Sequence, residues 1–253
     1  MADSAPEVIW RAPTKTYHRT TYPKIDPTRP ELSTKGKNIV ITGGGSGLGK
    51  HIARAFGNSG TTNLALISRT ESTLLKTKNE IEKESPSTRV WIYVADMVDA
   101  TSIEKALAAY AHDINGAVDI LVANAAFLAD LVPIEAADPK QWWKAYEINV
   151  KGNFNLIRAF SPVAASNAII VDVSTAVAHL AHAVDYSSYQ GSKLAGTNLF
   201  DHVQEEHPDW HVVHFHPGVI GGTEMDRTTI ASGRDLPHDD RMLNISSCTH
   251  KIY

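Results

Sequence analysis

Asn38-Ile39-Val40-Ile41-Thr42-Gly43-Gly44-Gly45-Ser46-Gly47-Leu48-Gly49 decides how the rest of the chain is read. A short apolar run, Asn38 to Ile41, leads into the glycines, and a helical pattern from Lys50 to Asn58 leads out. The order is strand, glycine turn, helix. Such a turn lets the backbone pass close to a pyrophosphate and aims helix N-terminal amides at it. Glycine alone tolerates the positive φ values and the close approach. The spacing is G-x-x-x-G-x-G rather than G-x-G-x-x-G, so the stretch by itself also reads as a plain glycine-rich turn.

The alternation continues outward from this turn. Apolar runs recur at Asn63 to Ile67, Arg89 to Val94, Val118 to Ala123, Ala168 to Val173 and Trp210 to Phe215. Helical patterns separate them at Glu71 to Glu84, Thr101 to His112 and Ser187 to Glu206. A longer helical region, Pro139 to Ala164, is interrupted at Asn149, Gly152 and Asn153. Asp99 or Thr101 is the expected N-cap of the third helix. Six strands alternating with helices predict an α/β fold, a single Rossmann-type doubly wound parallel sheet with helices on both faces. Ligands of such sheets sit beyond the carboxyl ends of the strands. Those ends carry Ser68-Arg69, Asp96, Asn124, Ser174-Thr175 and Pro217-Gly218.

Before this region, residues 1–35 carry Pro6, Pro13, Pro23, Pro27 and Pro30, with no clear period. They predict an extended N-terminal arm, which Trp10, Tyr17 and Tyr22 would pin to the surface, ahead of one catalytic domain over 36–253. A chain of 253 residues can bury a full core. Its formal charge of −4 points away from nucleic acid and anionic membrane as partners. Its one cysteine, Cys248, excludes an intrachain disulfide and points to a reducing, cytoplasmic setting. No apolar run approaches the roughly 18 residues of a membrane span. Twelve histidines invite a metal reading. His214 and His216 share a strand face and His179 and His182 are three apart, yet no acid or cysteine completes a ligand spacing, so no metal is expected. Trp142 and Trp143 read as packing residues.

The chemistry rests on Tyr189-Gln190-Gly191-Ser192-Lys193. Tyr189 and Lys193 are four apart and share a helix face. A free phenol, with a pKa of about 10, is a poor acid or base at neutral pH. A nearby ammonium lowers that value and makes the phenol a general acid for a developing alkoxide. A hydroxyl from Ser174 or Thr175 would hold the substrate oxygen. Alone, Y-x-x-x-K describes any Tyr/Lys pair on an amphipathic helix; behind a glycine turn and six strands it reads as catalytic.

From Lys37 to Met225 the chain resembles a classical short-chain dehydrogenase/reductase. The resemblance is carried by Thr42 to Gly49, Asp96, Asn124-Ala125-Ala126, Asn149, Ser174-Thr175, Tyr189 with Lys193, and Pro217-Gly218 with Thr223. The arm and the segment His216 to Met225 are most similar to fungal members that accompany secondary-metabolite pathways. The resemblance implies that Tyr189 is the acid/base and that Lys193 tunes it and binds the nicotinamide ribose. It implies that Asn149 holds a relay water and that Ser174, with Thr175 close behind, is the catalytic hydroxyl. The cofactor would be held by Thr42, Gly43, Ser46, Gly47, Leu48, Gly49, Ser68, Arg69, Asp96, Asn124, Tyr189, Lys193, Pro217, Gly218, Val219 and Thr223. At the end of the second strand, Ser68-Arg69 offers no acid for a ribose 2′-OH, and arginine matches a 2′-phosphate. NADPH is therefore preferred, with NAD second; Ser46 stands where many NADPH-using relatives carry a basic residue. The expected activity is reduction of a carbonyl of a small metabolite, or the reverse, in a homodimer or homotetramer.

The departures lie late in the chain. Thr175 is 14 and Ser174 is 15 residues before Tyr189, against a usual 13 in the family. After Asp240 a member would continue into a seventh strand, whereas Arg241 to Tyr253 has no clear strand pattern, so the chain reads as C-terminally truncated with its last strand missing. An open edge weakens a sheet. The alternatives are a non-catalytic dinucleotide-binding protein or an interaction module.

Overall fold

The computed structural model describes residues 22–179, 183–218, 220–232 and 243–244. Six parallel strands form one sheet in the order β3-β2-β1-β4-β5-β6. They are β1 (Asn38–Thr42), β2 (Asn63–Ser68), β3 (Arg89–Val94), β4 (Val118–Ala123), β5 (Ala164–Val173) and β6 (His211–Phe215). The order reverses between β1 and β4, which opens a crevice at their carboxyl ends.

Alternate residues of each strand serve opposite faces, and both are covered. Ile39 and Ile41 of β1 and Leu64 and Leu66 of β2 pack under α1 (Gly47–Asn58) and α2 (Glu71–Glu84), through Ile52, Phe56, Leu74 and Ile81. Val40, Ala65, Ile67 and Leu121 face the other way. They meet α3 (Ala100–Ile114) through Leu107 and Tyr110, and the later helices through Phe160 and Phe200. Strands buried on both faces read as continuous apolar runs rather than alternations. Asp99, not Thr101, is the N-cap of α3: its Oδ1 accepts from the amides of Thr101 (3.0 Å) and Ser102 (3.2 Å).

The long helical region resolves into three pieces. α4 (Pro139–Tyr146) passes through one π-helical turn, Glu147–Lys151, into α5 (Gly152–Phe160). Such a turn inserts a residue into a helix and commonly marks a functional site. The helix ends at Phe160 and not at Ala164, because Pro162 closes it in a short 3-10 turn. Ala164 already pairs with Val118, and the register then shifts so that Ile169 pairs with Ile120. α6 (Ser187–Glu206) and α7 (Glu224–Ala231) follow.

Of the expected arm, residues 1–21, with Trp10 and Tyr17, lie outside the described residues. Residues 22–35 run through two 3-10 turns, Pro23–Ile25 and Pro30–Leu32. They tie to the end of α1 where Thr34 N donates to Ser59 O at 3.0 Å. A separate two-stranded sheet lies near the C-terminus. β8 (Leu243–Asn244) pairs in parallel with β7 (Ile220–Gly221), within a stretch that shows no strand pattern in sequence. Two residues are too short for alternation to register. Cys248 lies outside the described residues. No helix among the described residues is long and apolar enough to cross a membrane.

Candidate active site

The glycine turn sits at the carboxyl end of β1. Gly43 (φ 68°) and Gly47 (φ 50°) lie in the left-handed region. Gly49 is glycine for a different reason: a Cβ there would press into the Gly43 carbonyl and come within 2.6 Å of Asn124 Nδ2. Ser46 is the N-cap of α1, and Leu48 and Gly49 lie in its first turn. The first amides of a helix have no intrahelical partner and form an anion site. Thr42 and Asn124 lock β1 to β4 beneath it. Thr42 Oγ1 accepts from the amides of Asn124 (3.0 Å) and Ala125 (3.1 Å), and Asn124 Nδ2 donates to Thr42 O (2.8 Å).

A cavity of about 370 Å³ lies at the ends of β2 and β3. Arg69, Asp96, Lys140, Lys144, Glu147 and Ile148 line it. Arg69 is exposed, Ser68 half-buried, and Asp96 turns the chain by accepting from Val98 N at 3.0 Å. The sequence reading missed Lys140 and Lys144. They are four apart on α4, and nothing in that pattern distinguishes them from solvated lysines. Trp142 does pack, its Nε1 donating to Ser187 Oγ at 3.1 Å. Trp143 stacks on Tyr146 with ring centroids 5.5 Å apart but leaves 56% of its surface exposed.

At the ends of β5 and β6 the catalytic candidates divide. Thr175 faces the Tyr189 phenol and favours its ionised form. Ser174 faces α6 instead, its hydroxyl 3.0 Å from Thr197 Oγ1. Consecutive residues at a strand end point to opposite sides, so the two hydroxyls serve different neighbours. Burial pushes the Tyr189 phenol up, helped by Tyr186 and Asp172 and opposed by Thr175. The sequence reading expected Lys193 to pull it down. The Lys193 ammonium points elsewhere, donating to Val173 O at 2.8 Å with Asp172 at 3.8 Å. Burial draws Lys193 down, and Asp172 opposes this.

Asn149, in the π turn, has its whole amide engaged. Oδ1 accepts from Phe127 N (2.8 Å), and Nδ2 donates to Phe127 O (2.9 Å) and Ser192 Oγ (3.0 Å). Its carbonyl accepts from Asn153 Nδ2 at 2.8 Å. Ser192 donates in turn to Tyr189 O at 3.0 Å. This chain of bonds ties the loop after β4 to the first turns of α6.

Pro217 and Gly218 (φ 86°) follow β6, and Val219 lies outside the described residues. Thr223 caps α7, accepting from Asp226 N at 3.0 Å. Burial pushes the phenol of Tyr186, just before α6, up, and Thr229 of α7 opposes this. His216 is drawn down by burial and by neighbouring His179. His182 lies outside the described residues.

Residues 37–232 match the family described as short chain dehydrogenase. The chain is 35% identical over 225 residues to a short chain dehydrogenase/reductase of Claviceps purpurea, covering 87% of this chain and 72% of that one. It is 33% identical over 224 residues to the short chain dehydrogenase pigC of Monascus ruber, covering 83% and 72%. Among solved structures, it is similar to an alcohol dehydrogenase from Thermococcus sibiricus complexed with 5-hydroxy-NADP. There the identity is 25%, the TM-score 0.68, and the coverage 82% and 94%. A short chain dehydrogenase from Shigella flexneri complexed with NADP matches at 21% identity and a TM-score of 0.74, covering 84% and 87%.

Proposed function

The chain belongs to the short-chain dehydrogenase/reductase family of oxidoreductases, and from that premise we propose that it reduces a carbonyl of a small metabolite with NADPH, or oxidises the matching alcohol with NADP. The family binds NAD(P) and acts on small molecules. The observation that carries the reading is the placement of Tyr189 and Lys193 one turn apart on α6 against the end of β5, where Lys193 Nζ donates to Val173 O at 2.8 Å.

When bound, the dinucleotide supplies the hydride. The residues fit such a group. The left-handed glycines and the Cβ-free surface at Gly49 leave room for a pyrophosphate against the first turn of α1. Arg69, Lys140 and Lys144 set three cations against the two acids Asp96 and Glu147 around the cavity, a balance that suits a 2′-phosphate. Ser68, Asp96 and Asn124 would border the adenosine half. Lys193 would hold the nicotinamide ribose, and Pro217, Gly218, Val219 and Thr223 the amide end.

Tyr189 is the proton donor. Burial keeps its phenol protonated, the form that reduction requires. Thr175, which faces the Tyr189 phenol, holds the substrate oxygen. Ser174 supports α6 through Thr197. Asn149 acts by position: losing its amide would leave the Phe127 amide and carbonyl unpaired, at about 1–3 kcal/mol each.

Relatives from Claviceps, Aspergillus and Monascus support a secondary metabolite as substrate. Exposed Trp143, Phe154 and Leu194 on α4, α5 and α6 support self-association as a homodimer or homotetramer. The deciding experiment is a fluorescence titration of the purified chain with NADPH and with NADH. Binding with NADPH preferred is expected; binding of neither removes the oxidoreductase reading for this chain.

A further inference from the structure

One buried charged group takes no part in the chemistry above. Asp172, 2% exposed, lies on β5 two residues before Ser174. Its carboxylate is 3.8 Å from Lys193 Nζ and 3.0 Å from His214 Nδ1. The other ring nitrogen of His214, Nε2, is 3.0 Å from Asp201 Oδ1, on a side chain 59% exposed. The fold makes this line in two ways. Asp172 and His214 are register partners between β5 and β6. Lys193, Thr197 and Asp201 recur every four residues along one face of α6.

A neutral imidazole has one donor, and only the imidazolium can donate to carboxylates on both nitrogens. Asp172 faces His214 from β5 and Asp201 faces it from α6, with Lys193 on the far side of Asp172. Two acids and two cations thus alternate from the buried lysine to the surface. When His214 is charged, it shares the Asp172 carboxylate with Lys193. When His214 is neutral, one of its carboxylate contacts loses its donor, and Lys193 becomes the one full counter-charge to Asp172.

We propose that His214 is a positioning residue for the reaction: clamped between Asp172 and Asp201, it sets how much of the Asp172 charge falls on Lys193, four residues from Tyr189 on α6. The inference rests on the assignment of Lys193 and Tyr189 made above. It gives the site a connection to solvent through β5, β6 and α6, separate from the Asn149 amide, which is fully engaged.

The test follows the imidazole resonances of the labelled full chain by NMR across pH, with His214 assigned by its absence in His214→Gln. Neither substrate nor cofactor is needed. In Lys193→Met the His214 midpoint should rise by about one pH unit, the size at which neighbouring groups titrate as a pair. It should fall in Asp172→Asn and in Asp201→Asn. An unmoved midpoint in a folded Lys193→Met overturns the proposal. A second measurement decides if that variant does not fold: turnover of 9,10-phenanthrenequinone with NADPH across pH. His214→Gln should shift the acidic limb of kcat while leaving KM within about twofold. An unchanged pH profile overturns the proposal. Full turnover in Tyr189→Phe would instead sink the functional reading and leave the NMR coupling standing.

Discussion

Replacing Gly49 with alanine adds a single methyl group, and the structure says where it goes. The new Cβ would press into the Gly43 carbonyl and stand 2.6 Å from Asn124 Nδ2 and 2.8 Å from the Gly43 carbonyl carbon. Two of those three atoms are backbone of the glycine turn, so the collision cannot be relieved by a rotamer. Overpacking of this kind costs roughly 1–3 kcal/mol. Displacing Asn124 also breaks its 2.8 Å bond to Thr42 O, worth about 0.5–1.5 kcal/mol. Against this, alanine is a better helix former than glycine by up to about 1 kcal/mol. Gly49 lies in the first turn of α1, where that gain is smaller. The net expectation is a loss of about 1–4 kcal/mol, or a fall in Tm of roughly 2–4 °C for each kcal/mol in a chain of this size. Because the turn itself must move, NADPH affinity should fall more steeply than stability. The assay is thermal unfolding by circular dichroism beside an NADPH fluorescence titration. Gly116→Ala is the control, since its Cβ meets Asn38 Nδ2 at an ordinary 3.4 Å. A Gly49→Ala protein with unchanged Tm and cofactor affinity would refute the close-approach argument.

The other expectations concern single charges and hydroxyls. Tyr189→Phe should abolish turnover and leave NADPH affinity within about twofold, measured by steady-state kinetics and the same titration; retained turnover removes the proton-donor assignment. Arg69→Glu should weaken NADPH far more than NADH, and Lys144→Glu should do the same if the cavity beside it takes the 2′-phosphate; an unchanged ratio in both would exclude that site. His214 is raised above the ordinary histidine value by Asp172 first and Asp201 second. Its ion pairs therefore stabilise the fold fully below about pH 6.5, the unperturbed value. That contribution is lost as pH rises through the elevated folded value. Asp201→Asn should thus cost more stability at pH 5.5 than at pH 9, by a few tenths to about 1 kcal/mol because Asp201 is exposed. Unfolding scans at the two pH values that show equal gaps would contradict it.

How much of this was legible in the chain differs from residue to residue. Asn63, Arg89, Val118 and Glu71 mark element starts that match the structure to the residue, because unbroken apolar runs between polar stops leave little freedom in a parallel sheet. The helix end near Phe160 was misread, because Ala164-Ala165-Ser166-Asn167 carries neither β-branched side chains nor alternation. Its pairing with β4 is imposed by the neighbouring strand, across a register shift. Tyr189 and Lys193 could be found because they lie on one helix, four residues apart. Ser174 was ranked ahead of Thr175 without knowledge of which side of the strand end faces α6, and it is Ser174 that meets Thr197 there.

The sequence by itself determined the class of fold and the glycine turn, since strand and helix periods and the intolerance of left-handed backbone for side chains are local properties. It also determined the Tyr–Lys pair, for the same reason. Contacts between distant residues were decided by the tertiary structure alone. Lys140 and Lys144 join Arg69 around one cavity only because α4 docks beside the ends of β2 and β3. Asp172 finds Lys193, and His214 finds Asp201, only because β5, β6 and α6 meet in one register. Charges 13 to 75 residues apart have no spacing that announces them; the Coulomb energy that couples them falls with distance in space, not with separation along the chain.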